Sequence, residues 1–315
     1  MTVLVNLIVT LGMLYVVPAG LRLIDPVRFG RAARLWPLFA APGAVCLWLP
    51  RGAPATALAT IYAAATLALA VRGAVPAVRA AVAAVRAPGR GPGPAEVAVL
   101  TALMAPSVAG TALVAERAGH RLFGFDLDIL ALTVPHFHFA GFTAALVAGL
   151  VCRASAAGAL ARWAAYSVPA GTALVLLGYF IDDWAELVGA VTLTGGMWAV
   201  ALLTWRDVRP GARGRDRDRI TGALLACSAV VLVATMLLAL WWALGEATGV
   251  VHPTLTWMAA THGLGNALGF GLCSLLAWRR LTASAARPAP SPAPAPAPAA
   301  ALAPAALPDR TEIPA

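Results

Sequence analysis

The chain has 315 residues, 60% of them hydrophobic and only 12% charged, with a mean hydropathy of +0.80 and a formal net charge of +9. No soluble domain of this length is built from such a mixture, so the composition points to a polytopic, all-α membrane protein embedded in the lipid bilayer. The positive charge does not imply a nucleic-acid partner: the run from Arg213 to Arg219 alternates with Asp216 and Asp218 and lacks interleaved aromatic residues.

A spanning helix needs about 20 apolar residues at about 1.5 Å rise each. Taken in chain order, the apolar stretches predict spans over 2–19, 35–49, 53–71, 95–115, 129–152, 161–180, 187–205, 220–243 and 255–278, the second being the shortest. The first has no basic residues ahead of it, and its first arginine follows the apolar run, so it reads as a retained helix rather than a cleaved signal. Beyond the ninth stretch the composition turns to Pro/Ala repeats that lack large apolar side chains. The reading is therefore a helical bundle over 1–285 and a disordered cytoplasmic tail over 286–315.

The basic residues, all arginine, give the orientation, because short loops rich in positive charge stay cytoplasmic. Odd-numbered links carry sixteen of them: Arg22, Arg28, Arg31 and Arg34, then Arg72, Arg79, Arg86 and Arg90, then Arg153 and Arg162, then six from Arg206 to Arg219. Even-numbered links carry only Arg51, Arg117 and Arg121. The asymmetry predicts nine spans with the N-terminus outside and the C-terminus inside. The four cysteines (Cys46, Cys152, Cys227 and Cys273) fall one per span without C-x-x-C spacing, so neither a disulfide framework nor a thiolate metal site is expected.

With this topology all five histidines fall on the outer side, together with several carboxylates. The link YFIDDWAEL between the sixth and seventh spans holds Asp182, Asp183 and Glu186. If it is helical, Asp182 and Glu186 share a face at i,i+4, and crowded carboxyls in apolar surroundings can keep one proton among them and act as an acid. The fifth span opens with Asp126 and Asp128 and continues ILALTVPHFHFAGF, which places His136 about 10 Å into the apolar layer by helical rise. Residues two apart point about 200° away from each other, so an undistorted helix cannot aim His136 and His138 at one metal. Pro135 perturbs the helix there and leaves two readings: one histidine bonded between helices and the other functional, or both lining one cavity. In the ninth span, LTWMAATHGLGNALGFG, His262 and Asn266 share a face, so the amide can fix the imidazole tautomer. The glycines at 263, 265, 269 and 271 read as helix-packing positions and not as a phosphate loop.

The segments LTVPHFHFAGF and THGLGNALGF resemble the YndJ-like family of bacterial integral-membrane proteins, in which a histidine pair before Ala-Gly-Phe and a late His-Gly with Asn-Ala-Leu-Gly-Phe are hallmark stretches. The resemblance covers 95–278. It implies a helical membrane fold with His136, His138, His262 and Asn266 at its marked positions, and family members are loosely labelled transporters.

Three functional readings follow. In the first, an enzyme acts on a hydrophobic small molecule of isoprenoid or polyketide-like character by protonation-driven cyclisation or isomerisation, as in terpenoid biosynthesis. Asp182, Asp183 or Glu186 would supply the acid, and His136, His138 or His262, with Asn266, would tune it or take the final proton. Phe137, Phe139, Trp184 and Trp257, with Asp126 and Asp128 nearby, would contact the substrate, the rings shielding cationic intermediates. The second is a proton-coupled transporter, since His and Asp/Glu residues inside a membrane also mark proton relays. The third is a haem or metal protein with histidine ligands, although no motif specifies a metal and the first reading needs no cofactor. The pattern selects no oligomeric state.

Overall fold

The computed structural model describes residues 2–86, 91–156, 158–210 and 219–285. The Pro/Ala segment 286–315 and the loop arginines Arg213, Arg215 and Arg217 lie outside the described residues. Among the described residues every regular element is helical. Seven helices are long and apolar enough to cross a membrane: α1 (Thr2–Ile24), α4 (Ala53–Arg79 within Ala53–Arg86), α5 (Pro94–Arg117), α6 (Leu127–Ala154), α7 (Ala159–Ile181), α8 (Asp183–Val208) and α9 (Arg219–Thr248). Two further pieces join them. The short helices α2 (Pro26–Leu35) and α3 (Pro37–Cys46) lie between α1 and α4, and a continuous helical run over 255–285, α10, follows α9. α10 is long enough to span but is diluted by His262, Asn266 and its glycines. The chain is thus a multi-pass membrane bundle.

Local chemistry starts and stops these helices. Asp25 adopts an extended conformation and its Oδ1 accepts the backbone N–H of Val27 and Arg28, both at 2.9 Å, while Pro26 occupies the first helical position of α2. Thr254 caps α10 through the N–H of Trp257 at 3.3 Å. Contacts between distant segments mark the two ends of the bundle. At one end Asn6 donates to the carbonyl of Leu47 at 2.9 Å, and Arg51 pairs with Glu116 at 2.9 Å. The Glu116 side chain is 2% exposed; Arg117 also pairs with it and donates to the carbonyls of Cys46 and Leu49 at 3.3 Å. At the other end Arg28 donates to the Arg72 carbonyl at 2.6 Å and Arg279 to the Tyr15 hydroxyl at 2.8 Å. α2 and α3 together lead from the Arg28 end to the Asn6 end.

The tightest packing is the α7–α8 hairpin. A single extended residue, Asp182 (φ −170°, ψ 173°), reverses the chain, and glycines seven residues apart on each helix let the backbones touch. A methyl at Gly178 would lie 2.4 Å from Glu186 Cα, one at Gly171 2.4 Å from the Leu193 nitrogen, and one at Gly189 2.4 Å from the Val175 nitrogen. Such contact is how helices gain dispersion energy in lipid, where no hydrophobic force joins them. α10 packs on α9 similarly: methyls at Gly265 and Gly269 would lie 2.7 Å from Thr235 Cγ2 and 2.6 Å from Val231 Cγ1.

Because the obstacle at Gly178 and Gly189 is backbone, it cannot rotate away. Gly178→Leu and Gly189→Leu are each expected to lower stability by about 3 kcal/mol or more, read as a loss of folded, monodisperse protein and a lower unfolding temperature in detergent. Gly30, where an added methyl would meet only open space, should accept alanine without loss.

Candidate functional site

A cavity of about 530 Å³ lies inside the bundle between α1, α5, α6, α7, α8, α9 and α10. Its walls are mostly aliphatic and aromatic, with Phe123, Phe125 and Phe180 in edge-to-face contact on one side (Phe125–Phe180 centroids 5.3 Å apart). Among the described residues the ionisable groups lining it are His136, Tyr179, Glu186 and His262, with no arginine.

Each polar group arrives by an identifiable local route. Pro135 cannot donate to the carbonyl one turn back, and directly after it the backbone widens into a π-type turn over Phe137–Thr143, in which Thr143 Oγ1 donates to the His138 carbonyl at 2.8 Å. The two histidines leave this region in opposite directions. His136 lines the cavity and makes no hydrogen bond among the described residues. His138 turns away and is fully buried: its Nδ1 lies 2.7 Å from the Val134 carbonyl and its Nε2 2.5 Å from the Tyr62 hydroxyl, with Gly12 beside the ring. A carbonyl only accepts, so Nδ1 carries the hydrogen and Nε2 receives the tyrosine proton. His138 is therefore a fully satisfied neutral imidazole joining α6 to α4.

His262 is fixed by the same logic. Its Nδ1 donates to the Thr235 carbonyl at 2.8 Å, and its Nε2 accepts from Asn266 Nδ2 at 3.1 Å. Because Nε2 can only accept, the amide must turn its NH2 to it, and the remaining Asn266 oxygen accepts from Thr235 Oγ1 at 2.8 Å. The i,i+4 pair seen in the sequence thus forms, and Thr235 on α9 completes it. Both imidazole nitrogens are occupied, so a metal or haem iron at His262 would have to displace Asn266 or the Thr235 carbonyl.

Glu186 lies in the first turn of α8, is 8% exposed and lines the cavity, and no hydrogen bond or ion pair holds its carboxyl among the described residues. Its backbone packs against Gly178, which fixes where the side chain emerges. Asp182 and Asp183 are placed elsewhere. The extended backbone at Asp182 means that the helix begins one residue later, so the i,i+4 face expected for Asp182 and Glu186 does not form. Asp182 instead accepts the Ala185 N–H at 2.7 Å as the cap of α8, and both aspartates are exposed.

The remaining expected contacts divide in the same way. Phe137 and Phe139 line the cavity, whereas Trp184 is 60% and Trp257 45% exposed, outside it. Asp126 is exposed and pairs with Arg121 at 2.5 Å, and Asp128 is exposed. Trp242 stands in the cavity wall, with His252 packed against it and paired with Glu246 at 3.2 Å. Sequence reasoning did not single out Tyr62, Tyr179 or Glu116. Nothing local marks Tyr62, which is defined by its contact with a histidine 76 residues away. Among the described residues no three His, Cys, Asp or Glu side chains gather to hold a metal ion.

The two histidines should therefore respond differently to removal. Tyr62→Phe leaves His138 Nε2 buried without a donor and is expected to cost about 1–3 kcal/mol, with His138→Ala costing at least as much through the void it adds. His136→Ala should leave the unfolding temperature in detergent nearly unchanged. A large loss for His136→Ala with tolerance at His138 would reverse the assignment.

No curated protein and no solved structure matches this chain at a significant level. The YndJ-like protein family does match, over residues 7–270, from the middle of α1 through the His262–Asn266 pair to Phe270. By that match over most of its length, the chain belongs to the YndJ-like protein family.

Proposed function

We propose that the protein is a membrane-embedded acid/base enzyme that isomerises or cyclises a hydrophobic, alkene-bearing small molecule held in the cavity between α6, α8 and α10. The single observation carrying this reading is that Glu186 and His136, both without hydrogen-bonding partners of their own, line one largely apolar chamber. The reading takes the chain across the bilayer nine times, with α2–α3 and α10 added to the seven long helices, the N-terminus outside and the cavity in the outer half. The arginine asymmetry and the paired helix ends support it.

In this mechanism the protonated carboxyl of Glu186 adds its hydrogen to one alkene carbon. The π pair becomes the new C–H bond and the positive charge falls on the neighbouring carbon. A second alkene can then attack that carbon to close a ring, which moves the positive charge to the far alkene carbon; cyclised or not, the cation then loses a proton from an adjacent carbon, whose C–H pair becomes the new double bond. His136 is the acceptor for that departing proton, and its return to Glu186 closes the cycle with no net change of redox state or composition. The His262–Asn266–Thr235 set is already satisfied, so its part is to shape the wall and orient a polar substituent. Aromatic walls exclude water, which would otherwise trap the cation as an alcohol.

Expression of the wild-type chain in a host, beside Glu186→Gln and His136→Ala, tests this by comparing lipid-soluble metabolites. A cyclised or double-bond-shifted product of unchanged mass is expected with wild type only, with Asp182→Asn and Asp183→Asn near wild-type levels. Unchanged metabolites combined with an altered distribution of a solute across the membrane would replace the enzyme with a transporter.

A further inference from the structure

The electrostatic make-up of the cavity narrows what it can hold. Among the described residues neither arginine nor lysine lines it, and the single acidic residue that does, Glu186, is more than nine-tenths buried and unpaired. Asp183 and Glu246 add negative charge on the same side, and Glu246 is only partly offset by His252 at 3.2 Å. The chamber that Glu186 lines also presents ring faces and edges: Phe125 contacts both Tyr179 (centroids 6.2 Å apart) and Phe180, and Trp242 is among the lining residues. Aromatic faces attract cations, and they do so most strongly where water is excluded. An anion would meet a carboxyl with no compensating cation among the lining residues described.

We infer that the cavity binds a hydrophobic organic cation, its apolar body against the aliphatic and aromatic walls and its positive charge beside Glu186. The inference rests on the reading of this cavity as a small-molecule site and adds the charge of what enters. It also explains how one carboxyl serves the proposed reaction twice. Once Glu186 has given up its proton it is the anion beside the cation just formed, so a stable cation of similar bulk mimics that state.

The test uses the full-length protein in detergent and two probes of similar size, the tetraphenylphosphonium cation and neutral triphenylphosphine oxide, titrated by calorimetry. Wild type is expected to prefer the cation by about tenfold or more. Glu186→Gln should erase the preference while still binding the neutral probe, which also reports that the variant is folded, and Glu186→Asp should retain it. Ala190→Phe, which fills the chamber one turn from Glu186, should weaken both probes alike and so place them in the cavity. Equal affinity for the two probes in wild type, or a preference that survives Glu186→Gln, would overturn the inference and leave the small-molecule reading standing. Failure of wild type to bind either probe would remove both.

Discussion

A buried imidazole has two ring nitrogens, and in a helix bundle surrounded by lipid neither can turn to water. This requirement organises the centre of the molecule. His138 meets it with a carbonyl of its own helix and the hydroxyl of Tyr62, and His262 meets it with the Thr235 carbonyl and Asn266. Each solution ties two helices together and fixes a tautomer. His136 alone of the three is left without such partners among the described residues, and it is the one that faces the chamber. A half-buried imidazole that faces an apolar chamber without a partner is a natural place to look for chemistry.

The same division separates the acids. Glu116 is as deeply buried as any carboxylate here, but Arg51 and Arg117 neutralise it, and the carbonyls of Cys46 and Leu49 take up more of the Arg117 donors. That cluster fastens the ends of α3, α4 and α5 and has no spare capacity. Asp182 is occupied as a helix cap. Glu186 is buried like Glu116 but lacks an arginine, because the hairpin that positions it is closed by glycine contacts instead of charge. Wide π-type turns in α1, α6 and α10 meet beside the chamber, where Gly12 receives the His138 ring and Gly271 the Phe139 ring. Such turns add one residue to a helical turn and so re-aim the side chains that follow.

Much of this was legible in the residues, for physical reasons that also mark the boundary. Long apolar runs reveal a membrane bundle because each is a property of a single segment. The His262–Asn266 pair was readable because i,i+4 geometry is local, and the packing role of Gly265 and Gly269 because small residues one turn apart form a groove on any helix. A spacing of two residues points His136 and His138 apart on a regular helix, but Pro135 left a shared cavity open as the other reading, and it is the first arrangement that forms. The grouping of Asp182 with Glu186 was not decidable from spacing, since one extended residue shifts the helix start and separates them. Tyr62, Thr235 and Glu116 carry no signal of their own: each acquires its role from a partner at least 27 residues away, His138 for Tyr62, His262 and Asn266 for Thr235, and Arg51 for Glu116. The Gly171–Gly178 and Gly189–Gly196 repeats were present in the sequence, and their sevenfold spacing is the feature that would have found the hairpin.

Chemistry in this chamber requires α6 to turn His136 into the space that Glu186 also lines and His138 away from it. Proximity can be measured directly in membranes, in a chain whose four native cysteines are replaced by alanine or serine, by placing cysteine pairs at 136 and 186 or at 138 and 186 and treating with a short bis-maleimide. The account predicts an intramolecular cross-link, read by peptide mass spectrometry, for the 136–186 pair and none for the 138–186 pair. Cross-linking of the 138–186 pair instead, or of both pairs equally, would contradict it.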